Sequence, residues 1–343
     1  MANYAASVLA EAKLILAQRL AQPEKRLKTA GVLGAFMKNS SIAIPNLGEL
    51  RTKEERAEKG YFFNRSKRST TSSRTHNHTG TVGDSSEVTF AWSTYTDKAQ
   101  TSLKRSDNNI MADAEILANE IENALKNIYE DVDAAGLAYL GTNKTQVNAA
   151  TKGGIFDNTL HAFEIANADV AKFIQRAKSM LRQNYYSGEA EFILDPLLYM
   201  EAEYLAAQGS GNATNWGYQF SGVNLFESVQ LADANYTDGA GYIIPAGTIG
   251  MVDWIPRQNR EGYGDMQSYV GGYSSMIDPR SGMQIAIHGY QDRADTSASG
   301  GDTQDVVMEW EFSVDVSFNK APLTTATETT IFEVGMLDTP ADA

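Results

Sequence analysis

A regular apolar stripe is the feature that most constrains the fold of this 343-residue chain. From Ile110 to Tyr139 apolar residues recur at steps of three or four, the spacing that places side chains on one face of an α-helix. The stripe predicts a helix over residues 107–140, about 45–50 Å long and several times the average length of helices in globular proteins. The stripe's other members are Ala114, Leu117, Ile121, Leu125, Ile128, Val132 and Ala135.

Acidic residues cover the other side of this predicted helix. A solvated face is the ordinary environment of such charges, so we expect most of these carboxylates to lie in water. They are Asp113, Glu115, Glu120, Glu122, Glu130, Asp131 and Asp133.

A second long element is predicted near the C-terminus. Between Val306 and Phe318 apolar residues occupy alternate positions, and the positions between them are mostly polar or acidic. Alternation with a period of two predicts a strand over residues 305–319 with one buried face. Together with the long helix and many shorter β-prone runs, this strand indicates an α+β fold.

The remaining elements alternate between helical and extended patterns. An amphipathic pattern at 4–21 predicts a helix that docks on its own chain or on a neighbouring copy. Two β-prone runs, 60–65 and 87–96, flank a polar segment and predict a long two-stranded projection. The region from 167 to 292 predicts a helix at 167–184, a buried strand at 190–195, a helix opened by Pro196, and further short strands.

The segment between the two β-prone runs is basic in an otherwise acidic chain. Residues 51–75 hold eight Lys or Arg against three Glu, which leaves the rest of the chain at −19 from an overall net charge of −14. The cations at the tip are Arg65, Lys67, Arg68 and Arg74. Because the acidic remainder would repel a phosphate lattice, we favour contact with an acidic surface of another copy. Nucleic-acid binding and a solubilising tip stay open as alternatives.

Signatures of catalysis and cofactor binding are absent from the sequence. It contains no phosphate-binding loop, no nucleophile elbow and no zinc-protease motif, and it has no cysteine. His76 and His78 would share one face of a strand, but only Asp84 lies close enough in sequence to complete a metal site. We therefore predict no catalytic residues, cofactor or metal. No signal peptide and no membrane-spanning segment is expected either.

The order of these elements resembles that of the major capsid (head) protein of tailed bacteriophages, which has the HK97-like fold. Residues 119–146 look like the long "spine" helix and its exit turn. Residues 306–322 look like the late strand that returns to the peripheral domain. A strand followed by a helix at 190–207 is similar to a recurring unit of the axial domain. The resemblance covers nearly the whole chain at the level of architecture.

The resemblance implies a division of the chain into four parts. Residues 1–45 would form an N-terminal arm, and 46–105 an extended E-loop. Residues 106–165 together with 301–343 would form the peripheral domain, and 166–300 the axial domain.

The resemblance also implies a function and partners. Copies would form hexamers and pentamers that close into an icosahedral shell around double-stranded DNA, which the shell contacts only loosely. The protein would be part of the virion, assembled in the bacterial cytoplasm, with no membrane partner. A separate scaffolding protein, a portal and decoration proteins are the other partners expected. Some members cross-link a lysine of the E-loop to a distant asparagine. Lys67 could be assigned that role, but no partner residue or catalytic acid is identifiable, so no cross-link is expected.

Two other classes of protein remain as alternatives. A tail-tube protein would also be acidic, cysteine-free and rich in strands, although such proteins are usually smaller and lack so long a helix. An enzyme with an unfamiliar site would require a concave pocket with convergent polar groups, which a sequence does not display.

Overall fold

In the computed structural model, the chain is described over residues 4–20, 31–63, 74, 85–102, 112–145, 155–157, 159–184, 186, 188–209, 222–261, 272–278, 281–295, 304–322 and 330–338. The helices are α1 Tyr4–Leu20, α2 Gly31–Ala43, α3 Leu47–Thr52, α4 Asp113–Asn143, α5 Phe173–Gln183, α6 Pro196–Gly209 and α7 Arg257–Arg260, with a 3₁₀ segment at Asn167–Lys172. The strands are β1 Lys59–Phe63, β2 Ser85–Thr89, β3 Ser93–Ser102, β4 Ile155–Asp157, β5 Ala162–Ala166, β6 Ala190–Leu194, β7 Val223–Glu227, β8 Ala240–Pro245, β9 Ile249–Trp254, β10 Gly272–Ile277, β11 Gln284–Asp295, β12 Gln304–Lys320 and β13 Phe332–Leu337.

The long helix predicted from the apolar stripe is α4. It has 31 residues, which corresponds to about 46 Å at the usual rise of an α-helix. Its stripe from Ala114 to Val132 is buried in the main hydrophobic core. Helix α1 packs along α4 and inserts Leu9, Ala12 and Leu16 into the same core. The N-terminal helix therefore docks on its own chain.

Two acids of α4 are exceptions to the solvated face expected for most of them. Asp113 and Asp133 are buried. The carboxylate of Asp133 accepts a hydrogen bond from the backbone N–H of Leu33 at the start of α2. The reason is that α2 begins against α4 and needs an acceptor for its unpaired N–H groups.

The long strand predicted at 305–319 is β12, which spans 17 residues. It pairs antiparallel with β11, with β3 and, at its C-terminal end, with β9, and β10 completes this five-stranded sheet. Its apolar face is buried, as the alternation predicted; the residues are Met308, Trp310, Phe312, Val314 and Val316. Polar partners on β3 meet the opposite face, since Lys98 pairs with Glu311 and Gln100 binds Glu309.

A second sheet has six strands in the order β4-β5-β13-β8-β6-β7. One face, with Ile193 and Ile244, belongs to the same core as α2 and α4. The other face, with Phe192 and Leu194, packs against α5 and α6. The predicted strand and helix around Pro196 are both present, and Asp195 accepts a hydrogen bond of 2.8 Å from the N–H of Leu198 at the start of α6.

Sheet membership crosses the division of the chain expected from the resemblance. Strand β13, in the expected peripheral part, pairs with β5 and β8 of the six-stranded sheet. Strands β9 to β11, in the expected axial part, belong to the sheet of β12 and β3. The four residue ranges of the domains therefore stay a prediction. The structure shows instead how the strands divide between the five-stranded and the six-stranded sheet.

Candidate functional site

A two-stranded ribbon is the described part of the projection predicted from the β-prone runs. Strands β1 and β2 pair antiparallel, with Tyr61 opposite Glu87. Among the described residues, each strand has the other as its only partner in a sheet. Because a ribbon of two strands is barely stable alone in water, this one has reason to lie against another surface.

One face of the ribbon carries exposed polar and aromatic groups. The Lys59 ammonium lies 2.5 Å from the Glu87 carboxylate, and the Tyr61 side chain is 63% exposed beside them. Hydrogen bonding to Glu87, followed by its charge, raises the pKa of Lys59. This face of the ribbon therefore exposes an ion pair and, next to it, a large aromatic ring to the solvent.

The other face of the ribbon is anchored to the body of the protein. Phe90, just beyond β2, is buried in a small core with Ile44, Leu50 and Val252. The indole N–H of Trp92 donates a 2.7 Å hydrogen bond to the carbonyl of Ala57. The base of the ribbon is therefore fixed on α2, α3 and β9.

The anchoring also explains a difference from the sequence analysis. The run 87–96 was predicted as a single strand, but it divides into β2 and β3 with a break at residues 90–92. Phe90 and Trp92 pack into the small core at this break. The chain therefore leaves the two-stranded ribbon after β2 and enters the five-stranded sheet at β3. Alternation continues across the break, so the pattern alone did not reveal it.

Most of the basic tip lies outside the described residues. Arg65, Lys67, Arg68 and the histidines His76 and His78 belong to this group. Arg74 is described and is exposed. The structure therefore places one of the four predicted contact cations at the surface and does not report on the other three.

Buried polar groups gather at the C-terminal end of α4. A cavity of about 270 Å³ there is lined by residues that include Leu137, Tyr242 and Glu333. The hydroxyl of Tyr242 donates a 3.1 Å hydrogen bond to Glu333, whose second oxygen pairs with the Lys144 ammonium. Burial, followed by the charge of Glu333, raises the pKa of Tyr242. These contacts tie the end of α4 to β8 and β13.

Comparison with known proteins identifies the fold. No family model matches the chain, and no curated protein matches it. A solved structure from Mycobacterium phage Che8 is similar with a TM-score of 0.50 at 10% identity, covering 90% of this chain and 92% of that one. The chain has the HK97-like fold.

Two further solved structures are similar at lower scores. The capsid of Ralstonia phage GP4 has a TM-score of 0.46 at 9% identity and covers 90% of this chain and 91% of that one. The capsid structure of the cyanophage P-SCSP1u has a TM-score of 0.44 at 13% identity, with 84% and 86% covered. The HK97-like α+β architecture expected from the order of elements is confirmed.

The contact residues predicted from the sequence lie at the tip of the projection of this HK97-like fold. The exposed residues at its base were not predicted. Lys59, Tyr61 and Glu87 form the exposed face that the structure describes. The signal was present, because Lys59 and Tyr61 are two residues apart in a β-prone run and so share one face of the strand.

Metal binding and membrane insertion are the two further properties to consider in the described parts of the chain. No group of three His, Asp or Glu side chains there is placed to hold a metal ion. None of the helices described is long and apolar enough to cross a membrane.

Proposed function

We propose that this chain is the major capsid protein of a tailed bacteriophage. Copies assemble into hexamers and pentamers, and these close into an icosahedral shell around double-stranded DNA. The observation that carries the proposal is the HK97-like fold, matched across 90% of the chain by a structure from a phage. The protein has a structural role and is not an enzyme.

The β1–β2 ribbon supplies the mechanism of assembly. Its two strands are marginal alone, and its exposed face carries the Tyr61 ring, so contact with a neighbouring subunit stabilises both. Each subunit makes this contact and receives one. Many modest contacts in a closed lattice then yield a stable shell.

The basic tip adds an electrostatic part to the same contact. Arg65, Lys67, Arg68 and Arg74 meet acidic residues on the adjacent subunit, since the chain outside 51–75 carries a charge of −19. The ribbon and its tip correspond to the E-loop, residues 46–105 in the division given above. The N-terminal arm, the peripheral domain and the axial domain follow the ranges stated there.

The charge of the chain also bears on its other partners. A net charge of −14 and exposed acids such as Glu130 and Asp131 on α4 keep packaged DNA in loose, non-specific contact. A separate scaffolding protein, a portal and decoration proteins complete the particle. Assembly takes place in the bacterial cytoplasm.

Negative-stain electron microscopy tests the proposal. The protein is expressed alone and with a candidate scaffolding protein, and the products are separated by size before imaging. Closed shells or ring-shaped capsomers are expected. Open tubes in place of shells would support the tail-tube alternative, and a strictly monomeric product under all conditions would contradict any assembly role.

A further inference from the structure

Helix α6 exposes an apolar stripe although its opposite face is already buried. Leu198 and Ala202 point into the core beneath the helix. On the outer side, Leu197 is 48% exposed, Met200 56% and Tyr204 60%. Steps of three and four residues place these three side chains in one row. A helix with apolar rows on both sides has a second surface to cover.

The charges around this stripe restrict what can cover it. Helix α6 contains two acids, Glu201 and Glu203, and no Lys or Arg. Neither acid has an ion-pair partner in the described part of the chain. Two copies of α6 facing each other would bring like charges together, so a basic surface is the better match for this stripe.

The chain itself carries such a surface on α5. This helix contains Arg176, Lys178 and Arg182 and no acid. Arg176 pairs with Asp169 at 2.5 Å. Arg182 is exposed and has no ion pair among the described residues. Burial, followed by the charge of Arg182, lowers the pKa of Lys178.

The positions of the two helices suit contact between neighbours. Both lie on the same face of the six-stranded sheet. Helix α6 contacts β6 and β7, which end the strand order on one side. The 3₁₀ segment that leads into α5 contacts β5 and β13, towards the other side, and it also contacts α6 of the same chain. In an edge-to-edge arrangement of two sheets, β7 beside α6 of one copy would meet β4 of the next, and β5 next to β4 contacts the segment that leads into α5.

We propose that the apolar stripe of α6 docks on the basic face of α5 in a second copy of this chain. The stems of Lys178 and Arg182 cover the stripe, and the guanidinium group reaches Tyr204 and Glu203. The two surfaces differ, so the contact is head-to-tail and builds a ring of subunits. The inference rests on the proposed function, because it names the contact that joins subunits within a capsomer.

Disulfide trapping tests the contact directly, because the chain has no cysteine of its own. One preparation carries Tyr204→Cys and another carries Arg182→Cys. The unassembled subunits are mixed, allowed to assemble and oxidised. A disulfide-linked dimer is expected in the mixture and in neither preparation alone. The matched control replaces Tyr204→Cys with Val229→Cys, which lies at an exposed position outside the stripe and is expected to give no dimer.

Charge exchange provides the second test. Glu203→Lys and Arg182→Glu are each expected to weaken subunit association by about tenfold, measured by sedimentation. The double variant restores association to within about threefold of the unmodified protein, because the pair is rebuilt with its signs exchanged.

The outcomes separate this inference from the proposed function. If the unmodified protein forms shells but the mixture gives no dimer and the double variant is not rescued, the contact is wrong and the capsid role stands. Dimers of Tyr204→Cys alone would show that α6 faces itself, which also overturns the contact. If Glu203→Lys loses binding of the scaffolding protein but keeps self-association, the occupant is not a second copy. If the unmodified protein makes no assembly at all, the proposed function fails.

Discussion

The carboxylate of Asp133 in α4 accepts a 2.9 Å hydrogen bond from the backbone N–H of Leu33, one hundred residues earlier in the chain. The hydroxyl of Ser228, after β7, lies 3.4 Å from the second carboxylate oxygen. A carboxylate at the start of a helix satisfies unpaired N–H groups and meets the positive end of the helix dipole. Asp133 therefore joins the long helix, α2 and the edge of the six-stranded sheet at one buried point.

Removing this junction is expected to destabilise the protein. Asp133→Ala leaves the N–H of Leu33 buried without an acceptor, which costs about 1–3 kcal/mol. Asp133→Asn keeps an acceptor oxygen and is expected to cost less. Urea unfolding of the unassembled protein measures both variants. Equal stability of Asp133→Ala and the unmodified protein would contradict the role assigned to this carboxylate.

The same residue makes stability depend on pH. Burial raises the pKa of Asp133 above its ordinary value of 3.8. Between that value and the raised one, the folded state binds more protons than the unfolded state, so this contribution to stability falls as the pH rises. The unmodified protein is therefore expected to lose stability relative to Asp133→Asn as the pH rises above about 4. A constant difference between the two proteins would refute it.

The start of α2 has no room for a side chain at Gly31. A Cβ atom there would lie 2.2 Å from the carbonyl oxygen of Glu227. Gly31→Ala is expected to destabilise the fold by about 1–3 kcal/mol, because backbone on both sides must move. Gly48→Ala in α3 is the matched control, since nothing lies within 4 Å of its added Cβ. The control is expected to be neutral or slightly stabilising, and thermal unfolding compares the two.

The centre of β12 contains a buried polar pair. The indole N–H of Trp310 donates a 3.1 Å hydrogen bond to the hydroxyl of Thr101 on β3. Thr101→Val leaves that donor unpaired and is expected to cost about 1–3 kcal/mol. Trp310→Phe combined with Thr101→Val is expected to cost less than the sum of the two single changes, because neither polar group then remains. Additive losses in urea unfolding would argue against a coupled pair.

A substitution at the exposed Tyr61 is expected to affect assembly without affecting the folding of the subunit. Tyr61→Ala is expected to leave the stability of the unassembled subunit within about 0.5 kcal/mol, because the side chain is at the surface. Assembly into shells is expected to fall sharply, since the proposed contact places the ring on the neighbouring subunit. Tyr290→Ala, a partly exposed tyrosine on β11, is the control. Unchanged assembly of Tyr61→Ala would remove the ribbon from the interface.

The two longest elements were readable from the sequence because their periods extend over many residues. The stripe of α4 and the alternation of β12 each repeat often enough to exclude other conformations. The start of α6 was also predictable, since Asp195 and Pro196 act locally on the first turn. The order of these elements then indicated the HK97-like fold.

Other features depend on contacts between distant parts of the chain. Asp133 looks like any other surface acid in the sequence, and only the arrival of α2 makes it a buried acceptor. Strand β13 joins the six-stranded sheet through pairing with β5 and β8, which no local pattern specifies. At the candidate site, the anchoring of Phe90 depends on Ile44 and Val252, which lie far away in the sequence.

The most direct measurement of the central claim is a cryo-electron-microscopy reconstruction of the particles that the protein forms. The account predicts a closed icosahedral shell of hexamers and pentamers, with the β1–β2 ribbon of each subunit lying on its neighbour. A soluble monomer, or an assembly in which the ribbon contacts only its own subunit, would contradict the account.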